Sequence, residues 1–270
     1  MSTGALPKLV ATDLDGTLLG PDGTVSDRTR HVLQELDARG VPVVFVTGRP
    51  VRWMDALWVD VGGHGLAVCS NGGIVYDVTR REVRSALTVP RGVALEVATT
   101  LRHEAPGTMF ALEKTTGFAR ETGFISPHAG APEVPTGELE AIFDELVVKM
   151  LALHAEQQPE DYWRQARELI GDKVEVTWSS QFALLEMSAR GVTKASTLAR
   201  LCAQLDIGPD DVVAFGDMPN DIDMLQWAGR SWAMAGGHAD AHDAADEIAP
   251  GNDEDGVATV LADLFGLGSL

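Results

Sequence analysis

The stretch "LVATDLDGTLLG", from Leu9 to Gly20, places two aspartates directly after a short apolar run. The segment "KLVAT" is typical of a buried strand, and the Asp-Gly step after it predicts a turn. Because only one residue separates Asp13 from Asp15, both carboxylates leave the end of the same strand. Like charges raise each other's pKa, so the pair raises the question of what binds between them.

Apolar runs and amphipathic segments alternate after this strand. Ser26 caps a predicted helix, and a strand "VPVVFVT", a helix from about Val51 and a strand "GLAVCS" follow. The pattern returns late in the chain, with helices over Lys194–Leu205 and Asp221–Ala228 and strands "DVVAFGD" and "SWAMA". Continuous apolar runs are typical of strands covered on both faces. The sequence therefore predicts an α/β fold, a doubly wound parallel sheet.

The segment 83–188 has a different pattern of apolar and polar residues. Its pattern predicts helices "RGVALEVATTLRHEA", "GELEAIFDEL" and "EDYWRQARELI" among strands "TMFALE", "TGFARE", "VVKMLALH", "KVEVTWS" and "FALLEMS". Such a mixture indicates an α+β unit with antiparallel pairs. We expect a domain inserted once into a core formed by residues 1–82 and 189–270.

Composition limits the partners. The chain has 270 residues and a net charge of −19, from 21 basic and 40 acidic side chains. A field of that sign repels nucleic acid and anionic membranes, so we expect neither as a partner. Cys69 and Cys202 stand alone, which argues against a disulfide framework. With no signal sequence or membrane segment in the pattern, we expect a cytoplasmic protein, a monomer or a homodimer.

Chemistry-bearing residues follow several predicted strands at the edge where parallel strands end. Asp13 and Asp15 leave the first strand, and the other residues are Thr47, Gly48, Asp217, Asn220, Asp221 and Lys194, which opens a helix. Converging carboxylates without imidazole favour a hard cation, Mg²⁺ above all. A hydroxyl, an ammonium and the N-terminus of the helix after Thr47 suit phosphoryl oxygens. The set predicts phosphoryl chemistry at this edge.

Four segments in this order resemble the motifs of the haloacid dehalogenase superfamily. They are "DLDGT" at Asp13–Thr17, "VTGR" at Val46–Arg49, "KASTL" at Lys194–Leu198 and "GDMPNDIDML" at Gly216–Leu225. The long insertion is similar to the cap of its Cof-type, subclass IIB phosphatases, and "SNGG" and "NDEDGVA" are similar to accessory motifs. The chain departs from that pattern at Ala235-Gly236-Gly237-His238, where the subgroup commonly has Gly-Asn-Ala, and at Ala195, where Gly is frequent.

The resemblance and the charges together imply a Mg²⁺-dependent phosphatase. Asp13 would attack phosphorus, Asp15 would act as acid and base, and Thr47 and Lys194 would hold phosphoryl oxygens. The resemblance implies that Asp13, the Asp15 carbonyl and Asp217 bind Mg²⁺, with Asp221 holding a bound water or the lysine. The predicted substrate-binding residues are Thr47, Gly48, Arg49, Asn71, Gly72, Lys194 and Asn220.

The substrate is the least determined feature of the sequence. We expect a small phosphorylated metabolite, with a sugar phosphate as the hypothesis, and cap-lining candidates Glu113, Arg120, His128 and Trp178. Each of these four could instead serve the cap's own core or surface. A phosphomutase with the same core, or a phosphate-binding module without turnover, stays open as an alternative.

Overall fold

The computed structural model describes residues 6–60, 65–125 and 133–268. The chain divides into two compact units. The first combines Met1–Arg84 with Lys194–Leu270, and the second is Ser85–Thr193. The sequence placed the corresponding boundaries at 83 and 188.

An eight-stranded sheet contains the strands of the first unit. In chain order they are β1 Leu9–Thr12, β2 Val43–Val46, β3 Leu66–Cys69, β4 Ile74–Asp77, β5 Glu82–Ala86, β12 Val212–Gly216, β13 Arg230–Met234 and β14 Glu247–Ala249. Their order across the sheet is β14-β13-β12-β1-β2-β3-β4-β5. The strands from β14 to β3 pair in parallel, and β4 runs antiparallel to β3. The predicted α/β fold is confirmed.

Apolar residues recur on one face of the longer helices of this unit, and the α-helices in its described part number five. They are α1 Asp27–Ala38, α5 Lys194–Gln204, α6 Ile222–Trp227, α7 Ala239–Ala244 and α8 Gly256–Phe265. Ser26 caps α1 as predicted, since its hydroxyl accepts a hydrogen bond from the Thr29 N–H at 3.0 Å. On α1, Val32, Leu33 and Leu36 are buried. A core cluster joins α5 and α6 to strands β1, β2, β3 and β12.

Strand register brings three chain segments to one edge of the sheet. Thr12, the last residue of β1, lies opposite Phe45 of β2 and Phe215 of β12. All three strands run in the same direction, so the residues after them share the carboxyl edge. The segments that begin at Asp13, Thr47 and Asp217 are therefore neighbours.

The second unit has a six-stranded sheet of the order β10-β11-β9-β6-β7-β8. Its strands are β6 Met109–Lys114, β7 Gly117–Glu121, β8 Thr136–Gly137, β9 Val147–Leu153, β10 Val174–Thr177 and β11 Leu184–Ala189. Its helices are α2 Arg91–Glu104, α3 Leu139–Ile142 and α4 Pro159–Ile170. The main core lies between α2, α4 and one face of the sheet, and a smaller cluster around Ala111, Leu151 and Leu184 lies on the other face.

Three local predictions were wrong. The expected helix from about Val51 is a short 3-10 turn, Val51–Trp53, so it supplies no long helix dipole. The helix predicted over "GELEAIFDEL" is limited to Leu139–Ile142. Strands β4, β5, β8 and β14 were not predicted at all. In β5 all five residues are exposed, and its sequence carries no apolar alternation that could indicate a strand.

Within the described residues, no helix combines the length and the apolar character needed to cross a membrane.

Candidate active site

Asp13 and Asp15 lie at the start of a wide turn, Leu14–Leu18, directly after β1. The Leu19 N–H closes this turn on the Leu14 carbonyl at 2.9 Å. Gly16 has φ +77°, and a Cβ there would collide with the Asp217 carboxylate. The turn therefore requires glycine for both its backbone angle and its close approach to the next strand end.

Lys194 forms the centre of a buried charge cluster. It is the first residue of α5 and is 1% exposed. Its ammonium donates to Asp13 Oδ1 at 2.6 Å and to Asp221 Oδ1 at 2.7 Å. One cation from the second half of the chain thus joins the ends of β1 and β12, which are separated by about two hundred residues in sequence.

The end of β12 supplies two further carboxylates. Asp221 Oδ2 accepts hydrogen bonds from the N–H groups of Asp217 and Met218, each at 3.1 Å. Thr17 donates its hydroxyl to Asp217 Oδ1 at 3.0 Å. A Cβ at Gly216 would clash with Asp221, so the tight packing of this loop depends on glycine. The Asp221 carboxylate is thus held by Lys194 and by two backbone N–H groups, and the Asp217 carboxylate is held by Thr17.

Three carboxylates of this cluster are close enough to share one ion. Asp13, Asp217 and Asp221 each offer an oxygen, and these oxygens lie within 4.8 Å of one another. With one ammonium against three carboxylates, the cluster carries excess negative charge when all are ionised. Burial raises the pKa of Asp13 well above the usual range, although Lys194 opposes this. Burial and then Asp221 raise the pKa of Asp217 to about 7.

Lys194 stays charged in this environment. Burial alone would lower its pKa, but the carboxylates of Asp13 and Asp221 outweigh burial and raise it. The ammonium is therefore a permanent positive group beside Asp13.

The Asp15 carboxylate is not among the three clustered ones. Its side chain is 59% exposed and forms an ion pair with Arg49. Sequence reasoning named both residues but gave no sign that they pair, since 34 positions separate them.

The other predicted binding residues lie around the ends of β2 and β3. Thr47 is fully buried, and its hydroxyl accepts the Arg49 N–H at 3.0 Å, while Gly48 is half-buried. The Asn71 N–H donates to the Thr47 carbonyl at 3.0 Å. The Asn220 amide donates to Asn71 Oδ1 at 3.1 Å, which connects this region with the loop after β12. The Gly72 carbonyl accepts the Thr197 hydroxyl of α5 at 2.9 Å.

The backbone of the loop Gly236-Gly237-His238 supports the loop that begins at Asp217, directly after β12. The His238 N–H donates to the Asp217 carbonyl at 2.7 Å. A Cβ at Gly237 would come within 2.8 Å of the same carbonyl oxygen. Sequence reasoning missed this contact, as it missed the support from Thr17. The sequence does indicate Thr17, because this residue comes directly after the Asp-Gly turn. The His238 contact is made by the backbone N–H, so no side chain in the sequence could have indicated it.

The cap-lining candidates have different surroundings in the second unit. Glu113 is buried, at 2% exposure, and Arg120 is half-buried. Trp178 packs against the main core, with its ring centroid 6.2 Å from that of Trp163. His128 lies outside the described residues.

Comparison with known proteins confirms the resemblance seen in the motifs. A family model of haloacid dehalogenase-like hydrolases matches residues 10–261. A phosphoglycolate phosphatase of Halorubrum lacusprofundi is 31% identical over 94% of this chain and 96% of its own. A 5-amino-6-(5-phospho-D-ribitylamino)uracil phosphatase of Bacillus subtilis is 27% identical over 97% of this chain and 98% of its own.

Solved structures share the fold. A sugar phosphatase described as HAD subclass IIB superposes with a TM-score of 0.80 at 21% identity. The match covers 96% of this chain and 99% of that one. The likeness therefore includes the inserted unit as well as the parallel sheet.

Proposed function

Since this chain belongs to the haloacid dehalogenase-like hydrolase family and is a phosphatase of that family, we propose that it hydrolyses a small phosphorylated metabolite through an aspartyl-phosphate on Asp13. The observation that carries the proposal is the buried cluster in which Lys194 bridges Asp13 and Asp221 beside Asp217. A site that only held phosphate would need no nucleophile, whereas hydrolysis through a covalent intermediate requires a carboxylate in the position of Asp13.

We assign the attack on phosphorus to Asp13. The Lys194 ammonium holds Oδ1 of this residue, which leaves Oδ2 to form the bond to phosphorus. The bond between phosphorus and the leaving oxygen breaks as the new bond forms, and the leaving oxygen departs with the electron pair. A carboxylate can attack without first losing a proton. The fixed positive charge of Lys194 also offsets the repulsion between Asp13 and the phosphoryl dianion.

The donor set fits a magnesium ion. Asp13 and Asp217 would supply carboxylate oxygens, the backbone carbonyl of Asp15 is the third ligand that we propose, and Asp221 would hold a bound water or Lys194, to which it is hydrogen-bonded. All of these are hard oxygen donors, without imidazole or thiolate, which suits Mg²⁺. Burial is the main cause of the raised pKa of Asp13 and Asp217 and neighbouring carboxylates add to it, so a bound cation would stabilise the ionised forms of both. When bound, Mg²⁺ would neutralise negative charge on the transferring phosphoryl group.

Asp15 is the proposed acid and base. Its side chain is 59% exposed, against 7% for Asp13, which supports a role in proton exchange with a leaving group and water that enter from solvent. It would protonate the departing alkoxide and then take the proton from the water that attacks the aspartyl-phosphate. Thr47, with its buried hydroxyl, would hold a phosphoryl oxygen together with Lys194. Gly48, Arg49, Asn71, Gly72 and Asn220 complete the proposed binding loops.

We propose a sugar or polyol phosphate as the substrate. The Bacillus subtilis relative is named for a ribityl phosphate and the structural relative for sugar phosphates, which supports this class. The second unit would choose among such leaving groups as a cap. Both cysteines, Cys69 and Cys202, are buried thiols, which fits a reducing compartment, and we propose the cytoplasm.

The experiment that tests this function uses Asp15→Asn with an aryl phosphate. Aryl oxides leave without a proton, so the first step should proceed while the second step lacks its base. We expect one burst of phenol followed by a stall, with a phosphoryl group on Asp13 detected by intact mass. The Asp13→Asn protein is the control and should gain no mass. Equal slow hydrolysis of alkyl and aryl phosphates, with no trapped species, would contradict the proposed roles.

A further inference from the structure

The ion pair between Arg49 and Asp15 has no role in the chemistry described above. The Arg49 Nε donates to Asp15 Oδ2 at 2.8 Å, and an Nη donates to Asp15 Oδ1 at 2.5 Å. The contact is therefore bidentate, and it occupies both oxygens of the proposed acid and base. The guanidinium takes one lone pair of each oxygen and fixes the direction of the carboxylate, so Asp15 is not free to turn towards a leaving group or a water while the pair is closed.

Arg49 is the better anchored partner. Its backbone N–H donates to the Thr47 hydroxyl, and its carbonyl accepts the Ser70 N–H at 3.0 Å, so the residue is fixed between the ends of β2 and β3. Its side chain is 21% exposed, against 59% for Asp15. Asp15 lies in the turn after β1, and its side chain has the shorter reach and the greater exposure of the two. When the pair opens, Asp15 is the side chain that moves.

The guanidinium of Arg49 matches a phosphoryl group as well as it matches a carboxylate. Its planar donors form the same two-point contact with either anion, and a dianion is the stronger acceptor. Arg49 also comes directly after the loop of Thr47 and Gly48 that we assign to phosphate binding. The two anions, one internal and one from the substrate, therefore compete for one cation.

We propose that Arg49 is a positioning residue that holds Asp15 in the resting enzyme and exchanges it for the phosphoryl group of the substrate. The Asp15 carboxylate thereby becomes available for acid and base catalysis only when a phosphoryl group occupies the guanidinium of Arg49. The same competition weakens the binding of inorganic phosphate, the product, because phosphate must displace an internal anion. This inference rests on the proposed function, which gives Asp15 its role.

A double-mutant cycle on phosphate binding tests the exchange. Inorganic phosphate is titrated, with Mg²⁺ present, into the wild type, Asp15→Asn, Arg49→Gln and the double variant. Asp15→Asn should tighten phosphate binding about three- to tenfold when Arg49 is present, because the guanidinium is no longer occupied. In the Arg49→Gln background the same change should have a smaller effect, limited to the loss of one nearby negative charge. Arg49→Gln alone should weaken phosphate binding.

Two controls make the cycle decisive. Arg49→Lys keeps the charge without the two-point contact, so it should reduce the coupling while retaining part of the phosphate affinity. Asp211→Asn breaks an exposed ion pair with Lys8 at the opposite edge of the sheet and should leave phosphate affinity unchanged. Thermal melts of all variants show whether each is folded.

The outcomes separate this inference from the proposed function. If Asp15→Asn changes phosphate affinity by the same factor with and without Arg49, the exchange is wrong. It is equally wrong if Arg49→Gln leaves phosphate affinity unchanged, since Arg49 then does not take the anion. Neither outcome touches the aspartyl-phosphate on Asp13, which the burst experiment tests by itself.

Discussion

Each of the two units buries a lysine among acidic side chains, but the two clusters occupy different positions on their sheets. In the first unit Lys194 lies where parallel strands end, and loop N–H groups also hold the carboxylates. In the second unit the Lys149 ammonium forms an ion pair with Glu186 at 2.9 Å, in the middle of antiparallel strands. On the neighbouring strand β6, the residue directly opposite Lys149 is Glu113.

The difference shows that buried charge alone does not mark an active site. Lys149 and Glu186 have strand neighbours along the chain on both sides, and Leu151 and Leu184 pack beside them on the same face. At the ends of β1 and β12 the chain turns away from the strand direction, and oxygens of Asp13, Asp217 and Asp221 come within 4.8 Å of one another there. We therefore assign the first cluster to the proposed reaction and infer that the ion pair of Lys149 and Glu186 links neighbouring strands of its own sheet.

The largest effect should come from Asp13→Asn. Removal of the attacking oxygen should lower kcat with an aryl phosphate by several powers of ten while the fold is kept. The measurement is steady-state release of phenol, with the melting temperature as a check on folding. Asp27→Asn, a change of an exposed aspartate on α1, is the matched control and should retain full activity. Ordinary turnover by Asp13→Asn would refute the covalent mechanism.

Removal of metal should have the next largest effect. A chelator should abolish hydrolysis, and Mg²⁺ should restore it, because the carboxylates of Asp13 and Asp217 otherwise repel the substrate. Ca²⁺ should not restore activity, since the larger ion accepts a higher and less regular coordination. The assay is activity after dialysis and metal addition. Full activity of the metal-free protein would contradict the assigned cation site.

Lys149→Met should affect stability rather than chemistry. It leaves Glu186 buried without its ammonium partner, which should lower the free energy of unfolding by about 3 kcal/mol. Below the melting transition, kcat with an aryl phosphate should stay within about twofold of wild type, because Lys149 is not among the residues proposed to act on the phosphoryl group. Denaturant unfolding and initial rates provide the two readouts.

The double variant Lys149→Met, Glu186→Leu serves as the control for this change. Replacing both charges by apolar side chains should recover part of the lost stability. A tenfold fall in kcat for folded Lys149→Met would remove the distinction drawn between the two clusters.

The smallest effect should be a pH-dependent change in stability at Asp217. Its pKa is raised to about 7 in the folded protein, so the folded state binds the proton more strongly than the unfolded chain does. The favourable contribution of the protonated group is complete below the unfolded pKa of about 4 and is lost as the pH rises through about 7. In metal-free protein, Asp217→Asn should therefore raise the melting temperature at pH 8 by about 5 °C, and by less at pH 5.

The control for Asp217→Asn is the addition of Mg²⁺ at pH 8. The ion should stabilise the wild type, which has the carboxylate, more than the variant. An equal gain in melting temperature at pH 5 and pH 8 would show that the substitution acts through packing, not through the charge of the cluster.

The sequence predicted the structure correctly where the apolar pattern and the direction of the strands are enough to determine it. Uninterrupted runs such as Leu9–Thr12 and Val212–Gly216 identify covered strands, and parallel strands place the residues after their carboxyl ends at one edge. The grouping of Asp13 with Asp217, Asp221 and Lys194 results from those two rules. The pattern failed for β5, whose five residues are all exposed, and after Pro50, where a 3-10 turn replaces the expected helix.

By itself, the sequence determined the fold class, the family and the residues that meet at the carboxyl edge, because hydrophobic periodicity and motif order are properties of the chain alone. Only the tertiary structure decided how those residues pair. In the folded protein the Lys194 ammonium donates to Asp13 and Asp221, and the Arg49 guanidinium donates to both oxygens of Asp15. Pairing depends on distances of a few ångströms between segments far apart in sequence, and those distances are fixed by packing of the whole unit rather than by any local pattern.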